Sequence, residues 1–163
     1  MSPAEFVGGP LREALDLLPK QMNTPQARVM VTAICLQESG LTHRRQMGNG
    51  PARGLAQFEL GTRASRGGVW GVYLHDASRF WLDHLCAARG VQFLPESIWR
   101  ALETDDVLAA GVARLMLFTD PFRLPATDDA DGAWGAYLRV WRPGRPRPET
   151  WPENHRKARL ACL

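Results

Sequence analysis

Residues 24–40 read TPQARVMVTAICLQESG, a helix with both of its ends written into it. Thr24 offers a side-chain oxygen to the unpaired N–H groups of a first turn, and Pro25 sits where no N–H is needed. Gly40 can take the left-handed conformation that stops a helix. Between these ends Ala27, Val31, Ile34 and Glu38 follow steps of four, three and four residues. The carboxylate of Glu38 therefore falls on the apolar stripe expected to face the core. Burial disfavours its charged form, and so does the negative end of the helix dipole, so both raise its pKa. An acid that keeps its proton near working pH is what general-acid chemistry requires. On pattern alone, a half-exposed helix end that caps a neighbouring loop competes with this reading.

Working outward, Pro10 reads as the start of a first helix over residues 11–18. After Gly40 the glycines at 48, 50, 54, 61, 67 and 68 mark a long irregular stretch with room for a cleft. Helical patterns follow over residues 76–89, with Gly90 beyond, over a shorter piece at 96–102, and over 105–119, stopped before Asp120-Pro121. Residues 132–141 and 152–162 complete the set, and the Arg- and Pro-rich segment 142–148 connects them. Residues 63–74 leave room for a short hairpin, because Val69, Trp70, Val72 and Tyr73 favour strands between flanking glycines. The expected fold is mainly α, with a glycine-rich cleft loop.

The chain of 163 residues is 45% hydrophobic, which suits one domain over 1–163 that needs neither disulfides nor metal for its core. No apolar run is long enough to span a bilayer, and the first ten residues lack the pattern of a signal peptide. Cys35, Cys86 and Cys162 are odd in number and widely spaced, as in a reduced compartment. His75, His84 and Cys86 do not have the spacing of a common zinc site, so no metal is expected. A net charge of +3 is too small to choose a partner class.

Three short segments carry a more specific signal. Gln37-Glu38-Ser39-Gly40, then Gly54-Leu55-Ala56-Gln57-Phe58, then Ala136-Tyr137 together resemble the lytic transglycosylase and goose-type lysozyme group of the lysozyme-like superfamily. In that group a Glu-Ser pair closes a helix, a Gly-Leu-x-Gln segment lines the cleft, and an Ala-Tyr-Asn segment brings a tyrosine near the acid. The matched region, residues 27–141, covers most of the chain, and the signal lies in the order and spacing of its motifs. One departure stands out: Leu138 replaces the asparagine, so one polar substrate contact is missing or replaced.

The resemblance implies a monomeric, metal-free and cofactor-free peptidoglycan-cleaving glycosidase that acts on the β-1,4 bond between N-acetylmuramic acid and N-acetylglucosamine. Glu38 is the implied general acid, and the implied substrate-binding residues are Ser39, Gly54, Leu55, Gln57 and Tyr137. A lytic transglycosylase reuses one glutamate as base and leaves a 1,6-anhydro end, and this outcome is favoured slightly over a hydrolytic muramidase. A hydrolase would use a second carboxylate to position water. Glu59 and Asp76 are the candidates, although Asp76 reads as the N-cap of the helix at 76–89 and Glu59 as a loop carboxylate. Trp134, Tyr137, Leu138 and Trp141 share one helical face, with a core role expected for all but Tyr137. The implied setting is a phage-encoded enzyme, made in the bacterial cytoplasm without a signal peptide, that reaches the wall after holin-linked release or as part of a virion. Its partner would be the glycan strands of the wall, without membrane insertion and without nucleic acid. The alternative is a non-catalytic lysozyme-like module in which the arginines after residue 138 bind the cell wall, nucleic acid or a virion partner.

Overall fold

The computed structural model describes residues 1–163 and is mainly helical, with no sheet. Its centre is α3 (Pro25–Ser39), held as its sequence requires: the Thr24 hydroxyl accepts the Ala27 N–H at 3.1 Å, and Gly40 closes the helix at φ 62°. Val29, Met30, Val31, Ala33, Ile34 and Cys35 are at most 1% exposed. The helix is thus buried on all sides rather than along one stripe, the pattern of an element enclosed by others. α7 (Asp106–Phe118), capped by Asp105, is buried in the same way.

The other helices wrap this pair. α9 (Trp151–Cys162) lies along α3, and α5 (Asp76–Arg89) packs on α7. A Cβ at Gly111 of α7 would come within 2.7 Å of a Leu85 methyl, so glycine sets the close approach of α5 and α7. α4 (Gly68–Leu74), α6 (Pro95–Ala101) and α8 (Ala130–Trp141) complete the shell. One core cluster of 36 residues draws on both ends of the chain, from Phe6 to Ala158. Cys35, Cys86 and Cys162 are all unpaired. No helix is long and apolar enough to cross a membrane.

Three expectations need correction. Helix begins at the N-terminus well before Leu11: α1 (Pro3–Phe6), with a Ser2–Glu5 capping box, runs through a π-turn (Val7–Leu11) into α2 (Arg12–Asp16). Pro10 lies inside that turn, where the wider winding accommodates a residue with no N–H to give. The hairpin proposed for residues 63–74 is absent, since 68–74 form α4. There Val69 and Val72, one helical turn apart, are both fully buried, and packing on the core overrides strand preference. Asp76 is the first residue of α5, not its cap: His75 Nδ1 accepts the Ser78 N–H at 3.2 Å.

Because the whole circumference of α3 is buried, a fault at its start weakens the centre of the molecule. Thr24→Ala is expected to cost about 1 kcal/mol, and Thr24→Ser much less, in urea unfolding followed by circular dichroism.

Candidate functional site

The three motif segments meet at the last turn of α3. The Tyr137 hydroxyl on α8 donates to Glu38 Oε1 at 2.5 Å. The Ser39 hydroxyl lies 2.6 Å from the Leu55 carbonyl and 3.0 Å from the Cys35 carbonyl, and it accepts the Leu41 N–H at 3.2 Å. Trp141 Nε1 donates to the Ala56 carbonyl at 3.0 Å, and its ring lies 5.6 Å from that of Phe58. Trp151 of α9 stacks on Tyr137 at 5.2 Å, and Trp134 flanks it at 5.3 Å, so aromatic packing holds the phenol against the acid.

Beside this junction opens a cleft of about 1130 Å³, lined by mostly polar side chains that include Glu38, Gln57, Glu59, Tyr137 and Trp141. That is slightly larger than the roughly 300–1,000 Å³ of a small-molecule pocket. Glu38 is half-buried at its wall. Burial pushes its carboxyl above the ordinary glutamate value, while the Tyr137 O–H and the Arg147 cation pull it part of the way back. The same burial, reinforced by the neighbouring carboxylate, drives the Tyr137 hydroxyl far upward, so it remains a donor. The site is therefore an acid that can hold a proton and whose conjugate base has a fixed hydrogen-bond donor.

The other sequence-derived residues divide by what they touch. Gln57 lines the cleft at φ 51°; its Nε2 donates to the Gly54 carbonyl at 2.9 Å, and its Oε1 has no partner in the protein. Glu59 is exposed, lines the cleft and makes no side-chain bond. Ser39 is 5% exposed with its hydroxyl committed to backbone, so it joins helix to loop rather than meeting a ligand. Leu55 is fully buried in the core and reaches the site only through its carbonyl. Gly54, at φ 77°, is where a Cβ would meet the Leu102 carbonyl at 2.9 Å, so close backbone packing explains the glycine. Leu138 packs against the core and does not line the cleft.

Two contributions were not read from the sequence. Trp141, assigned to the core, also forms cleft wall. Gln37, 2% exposed, is a junction: its Nε2 donates to the Arg147 carbonyl at 3.0 Å, and its Oε1 accepts from Thr150 at 3.0 Å and Asn154 at 2.8 Å. The Arg147 guanidinium closes the ring by donating to the Gln37 carbonyl at 2.6 Å. These bonds tie the non-helical strap 142–150 to the turn that carries Glu38. Elsewhere, Arg44 pairs with Asp106 and Arg45 with Glu103, which accounts for the basic turn after α3. His75 caps α5, the His84 ring packs on Trp81, and Cys86 lies in the core.

No family model, curated protein or solved structure matches this chain.

The raised Glu38 pKa has a consequence for stability. As pH rises from the ordinary glutamate value toward the folded value, the unfolded chain releases its proton first, so stability falls across that window. Glu38→Gln is expected to unfold at a higher temperature than wild type at neutral pH, and the difference should vanish in acid below the ordinary glutamate range. Calorimetry of both proteins across pH checks this.

Proposed function

We propose that this protein is a peptidoglycan-cleaving glycosidase of the lysozyme-like kind, cutting the bond between N-acetylmuramic acid and N-acetylglucosamine. The observation that carries the reading is the Glu38–Tyr137 pair on the wall of an open polar cleft. Protonated Glu38 would give its proton to the bridging oxygen as the bond to the muramic acid C1 breaks and an oxocarbenium-like centre develops. The carboxylate left behind would be steadied by the Tyr137 O–H. It can then take the proton of the muramic acid 6-hydroxyl as that oxygen closes onto C1, giving a 1,6-anhydro end and consuming no water.

The transglycosylase outcome is favoured because Glu38 is the one cleft carboxyl that burial pushes upward beside a hydroxyl donor, whereas Asp120 is bound to Arg139 and Glu59 is exposed. Glu59 leaves the muramidase route open, since it lines the same cleft with no internal partner. Gln57 lines the cleft with its Oε1 unpartnered, an acceptor that suits the N–H of an N-acetyl group. A non-catalytic module that holds an anionic polymer is the second reading, favoured by the arginines that share the cleft with Glu38.

Incubation with purified sacculi, with released fragments weighed by mass spectrometry, separates these readings. Wild type is expected to release anhydro-ended muropeptides, and Glu38→Gln to lower the rate by about 10²–10⁴-fold. Reducing ends that disappear in Glu59→Gln would instead establish a muramidase. No soluble product from wild type, alongside salt-sensitive retention of wall or DNA, would favour the binding module.

A further inference from the structure

The cleft holds an arginine set that the acid-and-tyrosine chemistry leaves unused. Five arginines line it against three carboxylates. Of these five, Arg139 is neutralised by a two-pronged pair with Asp120, at 2.7 and 3.0 Å, and Arg66 donates to the Leu74 carbonyl at 3.2 Å. The remaining three, Arg142, Arg145 and Arg147, all come from the strap between α8 and α9. The side chains of Arg142 and Arg145 make no hydrogen bond or ion pair with the rest of the protein, although both line the cleft.

The strap is not a loose tail. Its far end is bonded to the buried Gln37 side chain and carbonyl, and Thr150 and Asn154 secure the same amide. Its near end leaves α8 through Arg142 at φ 49°, with the Arg142 N–H bonded to the Leu138 carbonyl. Pro143, Pro146 and Pro148 restrict the span between these anchors. Two unpaired guanidinium groups are thus carried on an anchored segment at the edge of the cavity that contains Glu38.

We infer that residues 142–147 form a cationic arm that seats a carboxylate carried by the sugar chain, next to the bond presented to Glu38. This rests on the glycosidase reading and adds to it a recognition point for the carboxylates of that substrate. The planar guanidinium fork matches a carboxylate in two-point geometry, and prior anchoring of the arm lowers the ordering cost of binding. A peptidoglycan strand offers such a group in two places, the peptide stem where it is present and the lactyl ether of muramic acid where the stem, which is amide-linked to that carboxyl, has been removed.

Binding to the Glu38→Gln protein, which removes turnover, tests this with three probes of equal length: peptide-bearing glycan, glycan stripped of its peptides but retaining lactyl carboxylates, and neutral chitooligosaccharide. Arg142→Gln/Arg145→Gln in that background is expected to weaken binding of a carboxylated strand roughly tenfold and leave chitooligosaccharide binding unchanged. Loss on the peptide-bearing strand alone assigns the stem as source, loss on the stripped strand alone assigns the lactyl group, and loss on both shows that the arm takes either carboxylate. Equal effects on all three probes, or none on any, would overturn the arm while leaving the glycosidase reading standing. Failure of the parent protein to bind any of the three would overturn both. Unchanged thermal unfolding of the double variant, whose substituted side chains are exposed, excludes misfolding as the cause of a loss.

Discussion

The hydrogen bond from Tyr137 to Glu38 is where the fold and the chemistry meet. It joins the end of the most buried helix to the inner face of α8, and the phenol can make it only because Trp151 and Trp134 hold its ring in place. The two groups act on each other in opposite ways. Burial favours the neutral acid, and the phenol favours the carboxylate, so neither protonation state is left without a favourable contact. In the proposed reaction Glu38 gives a proton and takes one back, and it needs both. The cost falls on the folded state, which carries a half-desolvated carboxyl where a neutral amide would be more stable.

Gln37 plays the corresponding mechanical part. A buried amide left short of partners would be destabilising, and here its donor and acceptor are both satisfied from the strap and α9. The same bonds that satisfy it fix the strap beside Glu38, so the demand for buried polar pairing also defines one wall of the cleft. Ser39 likewise ties the helix end to the glycine-rich loop through the Leu55 carbonyl.

Much of this was legible in the residues, for reasons that can be named. The caps Thr24 and Gly40 act locally, so their chemistry fixed the bounds of α3. The placement of Glu38 near the core followed from helical spacing, and its nearness to Tyr137 from motif order rather than from any physical signal in the sequence. What escaped was set by tertiary packing. Val69 and Val72 have the side chains of a strand, yet burial on the core makes them helical, and Pro10 sits in a π-turn that sequence pattern alone did not distinguish from a helix start. Gln37 lies off the 27, 31, 34, 38 stripe, so the spacing gave no sign of its buried role. The run from Val29 to Leu36, interrupted only by Thr32, was the sign that this helix has no solvent face. Ser39 and Leu55 belong to the site as its frame, a distinction that depends on where a hydroxyl and a carbonyl point.

The most direct test is a carbon-13 NMR titration of the Glu38 carboxyl in wild type and in Tyr137→Phe. Glu38 should titrate above the ordinary glutamate value in wild type and higher still once the phenol is removed, because the donor that favours its charged form is gone. Titration at the ordinary value in wild type, unmoved by Tyr137→Phe, would contradict the central claim that this cleft holds a tuned proton donor.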